Sequence, residues 1–226
     1  MGNRPRAAIS WSGGKDCCSA LHRVADRYEV AAALTMFDEE GARSRSHGLR
    51  PELVAAQVAR LGLAHVSRRC SWDTYNAAFA SGLQELAAKG ITHVIFGDIM
   101  FDAHREWTDA RCAEAGMTSV QPIWGEPTDA MLREFLASGG EALIVTARAT
   151  FLDSSWLGRV LTPSMVDELA AMGVDPCGER GEYHTLVVNS PRFSRPLEVR
   201  PCGHVLRGEC WALDLELVDD AESARV

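Results

Sequence analysis

Two stretches of this 226-residue chain carry residue types at spacings that could do chemistry. The first, Ser12-Gly13-Gly14-Lys15-Asp16, follows the short apolar run Ala7-Ala8-Ile9-Ser10-Trp11 and leads at once into a helical pattern. Two glycines let a backbone pass close to an anion, a helix N-terminus presents unpaired N–H groups with partial positive charge, and Lys15 adds a full one. This reads as a phosphate-binding loop, the bland alternative being a glycine turn that caps a helix. The spacing is not Gly-x-x-x-x-Gly-Lys-Ser/Thr, which excludes the ordinary nucleoside triphosphatase loop. The second stretch, Cys177-Gly178-Glu179-Arg180-Gly181-Glu182-Tyr183-His184-Thr185, sets two glycines, two carboxylates and a histidine between a helix and a strand. Carboxylates this near each other can share a metal ion or a proton, and a solvated acidic turn is the competing reading.

Those residues need a frame to hold them. Apolar runs predict strands over 6–11, 29–36, 64–68 and 92–97, and amphipathic periodicity predicts helices over 15–27, 50–61, 72–89 and 103–115. In the third helix Tyr75, Ala78, Phe79, Leu83 and Leu86 recur at three- and four-residue steps and read as core, with Trp72 and Asp73 as its cap and Gly90 as its stop. Strand–helix alternation implies a parallel sheet with helices on both faces, and ligands bind at the carboxyl ends of such strands. That rule gathers the first loop, the segment Met36 to His47 and Gly97-Asp98 around one crevice. After Ile123-Trp124-Gly125-Glu126-Pro127 the pattern changes: Thr128 as an N-cap, a helix over 129–137, a strand over 142–146 and a helix over 163–172. Strands follow at 186–188, 197–199 and 211–217, the last with clear period-2 alternation. The reading is an α/β chain with a parallel-sheet domain over 1–124 and a smaller α+β subdomain over 125–226.

Composition bounds the function. With 46% hydrophobic and 24% charged residues the chain is globular, and a net charge of -8 with a pI near 5.4 argues against a dedicated nucleic-acid binder. No apolar run reaches the ~20 residues that span a bilayer, and Met1-Gly2-Asn3-Arg4-Pro5-Arg6 lacks the apolar segment of a signal peptide, so a cytoplasmic protein without membrane partners is expected. Seven cysteines, an odd number without a Cys-x-x-Cys pair, read as free thiols. Cys177 and His184 taken with Cys202 and His204 do not match the spacing of a common zinc module.

The first loop resembles the Ser-Gly-Gly-Lys-Asp-Ser loop of the PP-loop, or N-type, ATP pyrophosphatases, with Cys17 in place of the last Ser. The second stretch resembles the Gly-Glu-Gly-Gly-Glu-Tyr/Phe-Glu-Thr signature of the diphthine-ammonia ligase family, whose members fuse a PP-loop domain to a second domain. Gly97-Asp98-Ile99 with Arg105 and Cys112, Gln121-Pro122-Ile123-Trp124, and Leu152-Asp153-Ser154-Ser155-Trp156-Leu157-Gly158-Arg159 match further segments of that family in order. Arg180 and His184 depart from it, as do His104, Trp107 and Asp109, and the chain is similar to a short branch with Gly-Glu-x-Gly-Glu-Phe/Tyr-His-Thr.

The resemblance implies a Rossmann-like fold of the adenine nucleotide alpha hydrolase-like (HUP) class. It implies an enzyme that uses ATP and Mg2+ to adenylate a substrate carboxylate, releases pyrophosphate, and forms an amide with ammonia or an amine. Ser10, Trp11, Ser12, Gly13, Gly14, Lys15, Asp16 and Cys17 would hold the phosphates, Met36 and Phe37 would meet adenine, and His47 would close over the base beside Gly97 and Asp98. Asp16 and Asp98 are the candidate Mg2+ ligands, since that ion takes one or two carboxylates plus phosphate oxygens; a helix cap is the alternative for Asp98. Glu179, Glu182 and His184 would bind the acceptor or remove a proton, a His near its ordinary pKa of ~6.5 suiting that role, with Lys15 and Asp16 completing the catalytic set. Two other classes stay open: a tRNA-modifying thiolation enzyme, for which Cys17 and Cys177 are the positioned thiols, and a non-catalytic nucleotide sensor. A homodimer is compatible with all of these.

Overall fold

The apolar runs of the first half become five parallel strands in a computed structural model that describes residues 4–218; residues 1–3, part of the N-terminal stretch read above, lie outside it. In chain order the elements are β1 (Arg6–Ser10), α1 (Lys15–Val24), β2 (Glu29–Phe37), α2 (Pro51–Arg60), β3 (Ala64–Arg69), α3 (Tyr75–Ala88), β4 (His93–Ile95), α4 (Asp102–Glu114) and β5 (Thr118–Val120). The strand order is β3-β2-β1-β4-β5. Central β1 has both faces covered, so Ala7, Ala8 and Ile9 are fully buried and the strand reads as a continuous apolar run rather than an alternating one. With the order turning about β1, the crevice lies at the carboxyl end of β1, beside β4. The sheet thereby has the α/β, Rossmann-like character expected.

The second half continues as α5 (Thr128–Ala137), β6 (Glu141–Arg148), α6 (Pro163–Ala171), β7 (Tyr183–Asn189), β8 (Val199–Arg207) and β9 (Cys210–Leu217). Its strands form a separate antiparallel sheet in the order β7-β6-β9-β8. One apolar cluster runs through both halves, joining Ile9 and Leu21 of the first to Ile144, Leu186 and Leu215 of the second. A second cluster, with Leu34, Phe79, Val94 and Phe96, fills the opposite face of the parallel sheet.

Several local expectations change. Helix α3 starts at Tyr75, after a Ser71–Thr74 turn in which each backbone N–H donates to the other's hydroxyl at 2.9 and 3.2 Å. Trp72 is therefore no cap; it is 71% exposed, with the Arg45 guanidinium 4.1 Å over its ring. Thr128 lies inside α5, whose cap is Pro127, and its hydroxyl donates to Asp175 at 2.8 Å. Strand β5 was invisible because three residues are too few to show a period. Strand β8 extends from 199 to 207 although its residues are mostly exposed, because β9 supplies its hydrogen bonds. All seven cysteines are free, and no helix among the described residues is long and apolar enough to cross a membrane.

The antiparallel sheet is tied to the parallel half by Asp214 of β9. Its carboxylate accepts from Arg50 at 2.9 and 2.5 Å, where the chain enters α2, and from Arg43 at 2.7 Å in the loop after β2. The Arg50 hydrogen bond chiefly holds this carboxyl far below the usual carboxylate range. Replacing Asp214 with Ala is expected to cost about 1–3 kcal/mol, allowing for its partial exposure. Urea unfolding measures this; an unchanged midpoint would mean that apolar packing alone joins the halves.

Candidate active site

The loop between β1 and α1 is shaped by what its backbone must avoid. Gly13 has φ +88°, a conformation that favours glycine, and the imidazole of His47 lies against Gly14 where a Cβ would stand. The Gly13 carbonyl accepts from the Val187 N–H at 2.9 Å and from the Gln57 carboxamide at 3.0 Å. The same Gln57 nitrogen donates to the Val187 carbonyl at 2.7 Å, and its oxygen accepts from the Trp11 indole at 3.0 Å. Gln57 is wholly buried, so α2 clamps the loop against the edge of β7. At the start of α1 the Lys15 N–H donates to the Thr185 hydroxyl at 3.1 Å. Gly97 meets this helix start from the other side; a Cβ there would lie 2.7 Å from the Cys17 backbone nitrogen.

Lys15 is 3% exposed, yet its ammonium is matched: it donates to Asp16 at 2.9 Å and to the Cys177 carbonyl, and lies 5.2 Å from the centre of the Tyr183 ring. Burial pulls its pKa down, but Asp16 and the neighbouring Tyr183 and Cys177 outweigh that and hold it well above the usual lysine value. A buried positive charge thus stands permanently at the junction of the two motifs.

Both motifs open onto one cavity of about 470 Å³. Ser10, Ser12, Asp16 and Cys17 line it from the loop, Gly97 and Asp98 from the end of β4, His47 from the segment after β2, and Glu179 and His184 from the second motif. Other expected site residues lie elsewhere. The Trp11 side chain is core, anchoring the loop through Gln57, and Gly13, Gly14 and Lys15 form the loop's frame behind the lining. Met36 and Phe37 are 8% and 5% exposed and belong to the two apolar clusters, so their side chains do not present a surface for a base. Glu182 is 1% exposed, its carboxylate accepting from the Asp175 and Arg180 N–H groups at 3.2 and 2.9 Å; it braces the second motif rather than facing the cavity.

The wall that sequence reasoning missed is aromatic. Tyr75, Phe79, Phe96 and Trp107 line the cavity, with Phe79 and Trp107 ring centres 4.8 Å apart and Tyr75 stacked on Phe79 at 6.2 Å. Helical periodicity identifies an inward face but does not say whether it meets packing or a cavity.

Burial moves the titratable groups of the cavity in opposite senses. Asp98 is raised by burial, with Asp16 adding to the rise and His104, at 3.4 Å, opposing it. Glu179 is pushed up to about 8, first by burial and then by Asp16. The thiols of Cys17 and Cys177 are raised by burial and stay protonated. Desolvation lowers His47 to about 4 and His184 to about 3, the latter also by His47, so His184 does not keep its ordinary pKa. The two rings stack at 4.7 Å, and His47 Nδ1 lies 2.7 Å from the Thr185 carbonyl. A carbonyl only accepts, so Nδ1 carries the proton and Nε2 is left as an acceptor. No three His, Cys, Asp or Glu among the described residues converge on a metal-holding position. Two carboxylates, Asp16 and Asp98, that repel each other across a phosphate-type loop fit Mg2+, which completes its shell with water and phosphate oxygens.

Residues 5–119 match the family described as the diphthamide synthase N-terminal domain, and residues 127–218 its C-terminal domain. The diphthine-ammonia ligase of Schizosaccharomyces pombe is 26% identical over 208 residues, covering 81% of this chain and 34% of that protein. The diphthine-ammonia ligase of Rattus norvegicus is 26% identical over 220 residues, 86% of this chain and 82% of that protein. This chain therefore spans about a third of the yeast relative and most of the rat one. A solved structure of a predicted subunit of tRNA methyltransferase from Methanocaldococcus jannaschii aligns over 82% of this chain and 98% of its own, at 14% identity and a TM-score of 0.41, too loose a likeness to argue from.

Replacing Gln57 with Leu strands the Trp11 indole and leaves the Gly13 and Val187 carbonyls without its donor; a loss of about 2–4 kcal/mol in chemical denaturation is expected, and a loss within error would show that the clamp is dispensable. The histidine pair predicts an acid sensitivity. Both folded pKa values lie below the ordinary 6.5, so the unfolded chain binds more protons between them, and the pair's contribution is present above pH 6.5 and lost as pH falls toward 4. Melting temperature measured across that range should fall more steeply in the native protein than in a His47→Gln/His184→Gln variant; parallel curves would contradict the shifts.

Proposed function

Because this chain belongs to the diphthamide synthase family, we propose that it is an ATP-dependent amide ligase that forms AMP and pyrophosphate. The observation that carries the reading is the common cavity: Ser12 and Asp16 of the glycine loop, with Lys15 just behind them, and Glu179 and His184 of the second motif face one space. An oxygen of the substrate carboxylate attacks the α-phosphorus of ATP, the bond to the bridging α–β oxygen breaks, and pyrophosphate leaves. Ammonia or an amine then attacks the carbonyl carbon of the acyl adenylate, the bond to AMP breaks, and the nitrogen loses a proton.

Each residue's role follows from its surroundings. The backbone of Ser12 and Gly13 and the first turn of α1 after Lys15 supply N–H groups for phosphate, the Lys15 N–H itself being held by Thr185, while the Lys15 charge offsets the negative charge that gathers on the leaving pyrophosphate. Asp16 and Asp98 would hold Mg2+, whose chemistry is to neutralise phosphate oxygens. Glu179 is suited to take the amine proton, since burial brings its titration near neutrality. His184 stays neutral and orients the acceptor, and Glu182 keeps the motif in shape. The adenine base is assigned to the partly exposed rings of Tyr75 and Trp107 on the cavity wall, with Phe79 and Phe96 packed behind them, rather than to Met36 and Phe37, which do not line the cavity. We place the division of labour near residues 124 and 125, with ATP handled before it and the acceptor after it. Protonated, buried Cys17 and Cys177 weigh against thiolation, which needs a thiolate.

Incubation with ATP, Mg2+, ammonia and a panel of carboxylic acids should yield AMP and pyrophosphate. ADP and phosphate as products would overturn the reading, and ATP binding without turnover under any acceptor would favour a sensor. A Lys15→Ala variant should bind ATP at least about tenfold more weakly by calorimetry, because a desolvated charge partner is lost; unchanged affinity would remove the loop from the site.

A further inference from the structure

An acid entering this cavity meets the carboxylate of Asp16 in a largely buried lining, so a carboxylate on it is held only beside positive charge. Lys15, held by Asp16 and the Cys177 carbonyl, is assigned to the phosphates, and Arg43 and Arg50 are spent on Asp214. Arg148, the last residue of β6, is different. Partly buried, it makes no side-chain hydrogen bond or ion pair among the described residues, so its five donors are open to a ligand. Its Nη2 lies 2.9 Å from where a Cβ of Gly181 would be, and its charge is felt at His184. Gly181 and His184 both line the cavity, so Arg148 stands directly behind that lining and Arg180 at its rim. The absence of a side chain at Gly181, whose φ is +79°, is what lets the guanidinium reach the motif. Beside Gly181 stands Arg180, exposed and likewise without an ion pair among the described residues; its backbone N–H is held by Glu182, so the motif keeps it next to Gly181.

We propose that Arg148, with Arg180 beside it, forms an anion-binding subsite at the acceptor end of the cavity, and that it takes a second carboxylate of an acceptor carrying two. This rests on the ligase reading above and names its substrate class. The carboxylate to be adenylated must lie at the Ser12–Lys15 loop, whereas Arg148 lies beyond His184 and Gly181, on the side of the second motif. A planar guanidinium can bind the remote carboxylate with two parallel hydrogen bonds, fixing the acceptor's orientation as well as its charge.

The test uses the full chain with Mg2+ and α,β-methylene ATP, which cannot be cleaved at the α–β bond. The complex is titrated calorimetrically with succinate, glutarate and adipate and with their neutral diamides. At least one diacid should bind while its diamide does not. Arg148→Gln should weaken diacid binding at least about tenfold and leave the affinity for the nucleotide within about twofold, as expected for loss of one charge-assisted pair. Arg148→Lys should recover part of the loss, since a point charge replaces the fork, and Arg180→Gln should give a smaller loss; both serve if Arg148→Gln fails to fold. Equal binding of acid and diamide, no binding of any diacid, or unaltered binding by the Arg148 variants would overturn the subsite. Failure of the native protein to bind the nucleotide would instead overturn the ligase reading.

Discussion

The site depends on one buried carboxamide. A loop that presents its N–H groups to an anion cannot satisfy its own carbonyls, and at Gly13 the carbonyl points inward where water does not reach. Gln57 meets that need while also receiving the Trp11 indole and reaching the Val187 carbonyl, so one side chain joins α2, the loop and β7. Each bond is worth about 1 kcal/mol net, but leaving the same groups unpaired would cost about two to three times that, which makes the clamp stringent rather than merely favourable. The parallel sheet aims the loop; Gln57 and β7 keep it in place.

The second constraint is electrostatic. The cavity buries acids and bases together, and burial penalises whichever form is charged. Asp98 and Glu179 therefore rise, and His47 and His184 fall, so that neighbours which might have formed ion pairs instead tend toward neutrality. Lys15 resists because Asp16 is in direct contact and the Cys177 carbonyl accepts from its ammonium. One firm positive charge faces carboxylates that repel one another, an arrangement that a metal–phosphate ligand would relieve on both counts.

The frame was largely legible from sequence because it follows from periodicity: apolar runs marked β1, β2 and β4, and glycine stops marked the helix ends. The glycine loop at the start of α1 was legible because Gly13, Gly14 and Lys15 are close in sequence. What escaped was what only tertiary contact creates. Gln57 is a polar residue on an amphipathic helix, and nothing local distinguishes a clamp from a solvated side chain. Phe79 is core as its helical pattern predicts, whereas Tyr75 in the same pattern is only partly buried and faces the cavity, because a wall of a cavity has the same period as a wall of the core. Met36 and Phe37 erred in the opposite direction: their position at a strand end suggested a ligand, while their side chains were taken by the two apolar clusters. Glu182 looked like chemistry and is a backbone brace, because a turn with positive φ at Gly178 and Gly181 leaves N–H groups that only a nearby carboxylate can satisfy.

Strand β7 explains why the two motifs work as one site although they lie more than 160 residues apart. Its residues divide by side: Tyr183 lies under the Lys15 ammonium, Thr185 offers its hydroxyl to the Lys15 N–H and its carbonyl to His47, and Val187 pairs with Gly13. Between them His184 faces the cavity and stacks on His47. Alternation along a strand thus gives odd positions to holding the loop and the intervening position to the cavity. A substitution at 184 can change what the cavity accepts while the loop remains held by 183, 185 and 187. That separation leaves position 184 free to vary without disturbing the contacts that hold the loop.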